Sequence, residues 1–194
     1  MKRNNLLHLG WLTGASFIVG SLLLGSLLPD YNLVAQTVSE IGEVGSPLIM
    51  PWHLFSVSIG LLFILFAAGI LLFARQNKLS LLPGIFLLSY GISQFGIGFY
   101  PSPDPMHNVF GLSMTLGYFS PLVFVLAWKN KLGKVFKNIS ILAFIIIILG
   151  IFFNLSPAFD PSLYPMEYYG LVQRFLLFTF YTFSGYVGVK CLQY

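Results

Sequence analysis

Side chains able to do chemistry are scarce in this chain, and they gather where its apolar runs begin and end. Across 194 residues there are six Asp and Glu, ten Lys and Arg, and three His. Only Arg174 stands clearly inside an apolar run, about a turn from its start. A charge inside a bilayer is costly and marks function. A guanidinium there can hold an anionic headgroup or a developing oxyanion, pair with Glu40, Glu43, Asp104 or Glu167, or snorkel to the surface. His53 and His107 stand at the entrances of two further runs, and Gln94 is an amide within another. Asp104-x-x-His107 sets a carboxylate and an imidazole one helical turn apart. Such a pair can activate water, or it can join His53, Glu40 and Glu43 around a divalent metal such as zinc or iron. The catalytic candidates are therefore His107, Asp104 and Glu40. Arg174, Gln94, His53, Tyr181 and Glu43 are candidates for binding a ligand, and Asp104, His107 and His53 for binding a metal.

Each of these residues also has a structural reading. Asp104-Pro105 is a helix start, an N-cap acid followed by proline at the first helical position. Ser46-Pro47 reads the same way, and Thr37 to Glu40 fits a capping box. The sequence has no G-x-S-x-G, no H-E-x-x-H and no glycine-rich phosphate loop. The lone Cys191 excludes an intrachain disulfide and a thiolate-built zinc cluster.

The elements that must position these residues follow from composition. With 57% of residues hydrophobic and 8% charged, against about 25% charged in soluble domains, lipid must be the solvent for most of the exterior. Apolar runs lie at about 6–28, 52–73, 79–99, 109–128, 139–155 and 171–192. Each approaches the ~20 residues that cross a hydrocarbon core. The expectation is an all-α, six-span bundle forming a single domain over residues 1–194. The first run is too long for a signal peptide and ends in Pro29-Asp30-Tyr31, so it is read as an uncleaved helix.

The interruptions alternate in charge. Lys2, Arg3, Arg75, Lys78, Lys129, Lys131, Lys134, Lys137 and Lys190 fall on one side, which the positive-inside rule makes cytoplasmic together with both termini. All six acids then fall outside. The basic side sets orientation, and no nucleic-acid partner is expected. A Lys- and Ile-rich composition around the fifth run points to a bacterial inner membrane. No similarity between the first three spans and the last three supports an inverted-repeat transporter, and no ionisable relay crosses the bilayer middle.

Helical spacing shows which residues share a face. His107, Gly111, Met114, Tyr118 and Pro121 form one stripe; His53, Ser56, Gly60 and Ala67 another. Tyr90, Gly91, Gln94 and Gly98 align, as do Arg174, Tyr181, Gly185 and Gly188. Small residues mark close helix contact in lipid, so these faces should point inward and bring the polar groups together near the outer leaflet.

Three motifs add a resemblance. Val38-Ser39-Glu40-Ile41-Gly42 resembles the Ser-Glu-x-Gly element of a bacterial membrane family, domain of unknown function 998. Tyr100 to His107 resembles its proline, acid and histidine signature after the third helix. Gly170-Leu171-Val172-Gln173-Arg174 resembles its Gly-Leu-x-Gln-Arg opening of the last helix. The match runs in order along nearly the whole chain. The family often carries a cysteine before the aspartate, where this chain has Ser102 or Pro103, so a thiol role has no support here. The resemblance implies six spans and a biochemical role not yet established. It adds Gln173 to the ligand-binding set by grouping Glu40, Asp104, His107, Gln173 and Arg174 in one unit.

Three functions fit. The first is a non-transporting protein whose outer pocket binds membrane lipid or another hydrophobic or anionic amphiphile, with Arg174 on the anion, Glu40 or Asp104 orienting Arg174, and His107 donating a hydrogen bond. The second is an intramembrane hydrolase or transferase, metal-dependent or not, built on the same residues. The third is a structural subunit of a membrane complex.

Overall fold

Hydrocarbon cannot satisfy backbone N–H and C=O groups, so a chain this apolar must satisfy them within helices. The computed structural model, which describes residues 3–128 and 131–194, does so. Among the described residues seven α-helices carry the fold: α1 (Arg3–Leu27), α2 (Ile49–Gln76), α3 (Leu82–Ile97), α4 (Pro105–Tyr118), α5 (Ser120–Trp128), α6 (Gly133–Leu155) and α7 (Tyr169–Gln193). Five segments are long and apolar enough to cross a membrane, with α4 and α5 counted as one, and α3 is a shorter apolar helix. Together they fit six apolar helical segments.

Several bounds differ from the sequence expectation. The fourth span is not one continuous helix. Phe119 separates α4 from α5, because Pro121 has no N–H to give to the carbonyl of Gly117 and the chain closes a tighter turn there, Phe119 N–H bonding Leu116 O at 3.2 Å. The third span is shorter than 79–99. Its last residues leave the helix through tight turns, from Phe99 N–H to Gly96 O and from Tyr100 N–H to Ile97 O, ahead of Pro101. The fifth starts earlier than 139, at Gly133, because Lys134 and Lys137 can lie on the helix while their ammonium groups reach past its apolar surface.

Packing follows the small residues. α2 packs on α3 and α1, α1 on α7, α3 on α4, and α6 on α7. A Cβ at Gly60 would collide with the backbone of Phe95, so α2 and α3 touch main chain to main chain. Between them a buried aromatic cluster fills the middle of the bundle, with the Phe17 and Tyr181 rings stacked at 4.2 Å and Tyr90 set 4.2 Å from Phe180. At the basic end Arg3 bonds the Gln76 side chain at 2.9 Å and Trp128 Nε1–H bonds Ser80 O at 2.9 Å. Lys2 and Lys129, part of the orientation argument, lie outside the described residues. The acidic loops cap the opposite end, and there α4 and α6 scarcely meet.

Candidate functional site

The gap between α4 and α6 is a cavity of about 700 Å³ beneath the loop that joins α1 to α2. That loop is built on a short turn, Val38–Gly42, whose capping box uses Glu40. Glu40 Oε1 accepts from the Thr37 N–H at 2.8 Å and from its hydroxyl at 2.7 Å, and Oε2 accepts from Gln36 Nε2 at 3.1 Å. The carboxylate is thus fixed by three donors with one face on the cavity. Gln173, on the first turns of α7, fixes the same loop from below. Its Oε1 accepts the Val38 N–H at 2.7 Å, which leaves its amide NH₂ free to donate.

His107 lines the cavity from α4. Its Nδ1 lies 2.7 Å from the Tyr100 carbonyl. A carbonyl only accepts, so Nδ1 carries the proton and Nε2 of the neutral ring is an acceptor. The sequence reading gives His107 a donating role toward a ligand; with Nδ1–H turned to Tyr100, Nε2 is the nitrogen left for one. Gln94 forms the floor, with Nε2 donating to Ser56 Oγ at 2.8 Å and Oε1 accepting from the Tyr181 hydroxyl at 3.4 Å. Interhelical bonds of this kind contribute about 1 kcal/mol in membranes. Gln94→Leu should therefore lower stability by about that amount, read as a shift of a few degrees in thermal unfolding in detergent. The other walls are apolar, among them Ile97, Leu112, Met114, Leu155, Leu176 and Leu177.

Arg174 takes a different position from the one expected. It is 4% exposed, so it does not snorkel, and its terminal nitrogens meet no carboxylate. Nη1 bonds the carbonyls of Leu33, Gln36 (2.7 Å) and Gly170 (3.1 Å), and Nη2 bonds the Tyr31 hydroxyl. Tyr31 passes a hydrogen bond on to the Thr37 carbonyl. Burial pushes the Tyr31 phenol above its ordinary range, and the Arg174 guanidinium partly offsets that. Arg174 is thus a clamp on the loop that roofs the cavity. The ion pair with Glu40 or Asp104 is replaced because the loop carbonyls reach the guanidinium first, and Glu40 already has its own three donors.

Of the remaining candidates, Asp104 turns back on its own helix and accepts the Met106 N–H at 2.7 Å. Glu43 ends the Val38–Gly42 turn, and Tyr181 is buried under Phe17. The His53 Nε2 is buried without a partner outside the cavity lining. Glu40, Gln94, His107 and Gln173 come together; Asp104, His53, Glu43, Tyr181 and Arg174 stand apart from the cavity wall. Among the described residues no three His, Cys, Asp or Glu side chains gather closely enough to hold a metal ion. Asp104 Oδ1 and His107 Nδ1 each bond backbone.

Sequence reasoning missed Asn154. Its Oδ1 is buried without a partner, and the residue lines the cavity. The signal was available: Asn154 is the only amide in the apolar run Ile145 to Leu155. Gly111 was misassigned to a helix contact. A Cβ there would meet only Ile97 Cδ1, at 3.8 Å, because Gly111 faces the cavity rather than a neighbouring helix.

A family profile described as "Protein of unknown function (DUF998)" matches residues 11–190. The chain belongs to that family. The match runs from within α1 to within α7 and takes in every cavity residue named above, and it makes this protein an apolar helical membrane protein of a family whose function is unknown. No curated protein and no solved structure matches the chain.

Proposed function

We propose that this DUF998 protein binds an amphiphile, a lipid headgroup with its adjoining chain, in the cavity at the acidic end of the bundle. One observation carries the reading: the cavity is itself amphipathic. Glu40, Gln94, His107, Asn154 and Gln173 lie on its wall beside a leucine, isoleucine and methionine surface, within a volume of about 700 Å³. Ligand pockets of a few hundred to 1,000 Å³ with an apolar lining and a few placed polar groups are the usual form of small-molecule sites. The sparse contact between α4 and α6 offers a side entrance from the bilayer.

The positive-inside rule puts the basic end and both termini in the cytoplasm, so the pocket faces the outer leaflet. Arg174 shapes the roof rather than holding the headgroup. The same geometry favours binding over hydrolysis. The partner of the His107 Nδ1 is a carbonyl, so no carboxylate orients the imidazole as in a general-base pair.

Native mass spectrometry of the protein purified in mild detergent tests this. The expected spectrum carries about one tightly held amphiphile per chain that survives delipidating washes. Complete loss of adducts under the same washes would contradict the proposal.

A further inference from the structure

We infer that the headgroup held in this cavity carries an ammonium. The inference rests on the amphiphile reading above and deepens it.

Three side-chain acceptors on the cavity wall have room for a donor. Glu40 is the one Asp, Glu, Lys or Arg among the lining residues. Its Oε1 takes two hydrogen bonds and its Oε2 only one, so Oε2 keeps acceptor capacity. Asn154 Oδ1 is buried with no donor. His107, with Nδ1–H spent on Tyr100 O, presents Nε2 as an acceptor. A buried acceptor without a donor is costly, and a ligand that brings donors relieves that cost. An ammonium brings three with a compensating positive charge, and it meets a carboxylate in charge-assisted bonds about twice as strong as neutral ones.

The nearest cation does not fill this need. Arg174 lies behind the loop, with Nη1 and Nη2 bonded to Leu33, Gln36, Gly170 and Tyr31, and it faces a second, apolar groove of about 690 Å³ on the other side. Gln173, with its amide NH₂ unspent, is placed to donate to the phosphate that adjoins an ethanolamine headgroup.

The test compares phosphatidylethanolamine with phosphatidylglycerol of identical acyl chains, titrated onto delipidated protein and read by native mass spectrometry, with free ethanolamine as a soluble competitor. The two lipids share chains and phosphate and differ in an ammonium against a glycerol diol, and so in net charge. Phosphatidylethanolamine should bind about tenfold more tightly, as expected for one charge-assisted hydrogen bond. Glu40→Gln should abolish that preference. Because Glu40 also serves the capping box, Asn154→Leu, on α6 and outside that box, is the second variant and should reduce the preference about threefold.

Equal binding of the two lipids overturns the inference while leaving the amphiphile reading standing. So does a preference for phosphatidylglycerol, which would point to the Arg174 groove, or an ethanolamine preference that survives in both variants. If neither lipid binds but free ethanolamine raises the unfolding temperature of wild type and not of Glu40→Gln, the ammonium site holds and the amphiphile reading fails. If neither lipid nor ethanolamine binds, both fail.

Discussion

Arg174→Ala should lower the stability of the bundle by about 2–4 kcal/mol, the largest loss from any single truncation at the acidic end. The substitution strips a donor from three carbonyls, those of Leu33, Gln36 and Gly170, and from the Tyr31 hydroxyl. Each buried acceptor left unsatisfied costs roughly 1–3 kcal/mol, less where water enters the opened loop, and Gln36 O keeps a weaker bond from the Tyr31 hydroxyl. The effect should be local before it is global. The segment from Tyr31 to Glu40 is held to α7 by Arg174, by Gln173, and by backbone bonds from Gly170 N–H to Ala35 O (3.1 Å) and Leu171 N–H to Val34 O (2.8 Å). A Cβ at Gly170 would strike the backbone of Gln36, so the contact has no slack. Limited proteolysis should cut Arg174→Ala in this loop at temperatures where wild type is intact. Arg174→Lys should recover only part of the loss, because one ammonium cannot reproduce the planar fork that spans carbonyls and phenol. If Arg174→Ala unfolds at the wild-type temperature with an uncut loop, Arg174 is not the clamp.

How far the sequence led depended on the kind of interaction. The six spans were legible because lipid imposes one rule on every residue it touches, and the alternation of Arg75 and Lys78 with Glu40, Glu43 and Asp104 followed from chain order alone. The capping roles of Asp104 and Thr37–Glu40 were legible too, since a cap is read from neighbours a few positions away. The partner of Arg174 was not. Charge counting nominates a carboxylate, whereas the guanidinium took backbone carbonyls from Leu33 and Gln36, atoms every residue carries and no sequence pattern flags. The His107 tautomer was hidden for the same reason, because Tyr100 supplies a carbonyl and not a side chain. Gly111 shows the limit of the small-residue rule. On α2, Gly60 admits a neighbouring backbone; on α4, Gly111 admits empty volume, and only the position of Ile97 tells the two apart.

That difference makes Gly111 the means to test the whole account. A large side chain at most glycines of this bundle would collide with a neighbour, as at Gly96 against Phe110 or Gly117 against Tyr90. At Gly111 it has room, and the room is the proposed site. Exchanging a mid-helix glycine for another residue also recovers helix propensity, up to about 1 kcal/mol for alanine. Gly111→Phe should therefore fold as well as wild type while filling the space between His107, Thr115 and Asn154 that the amphiphile would occupy. The decisive measurement is the number of amphiphile molecules retained per chain after identical delipidating washes, for wild type, Gly111→Ala and Gly111→Phe, each with its unfolding temperature. The prediction is about one molecule on wild type and Gly111→Ala, fewer than about a tenth as many on Gly111→Phe, and no fall in unfolding temperature for either variant. Equal retention by Gly111→Phe and wild type, with both folded, would contradict the claim that this cavity is the binding site.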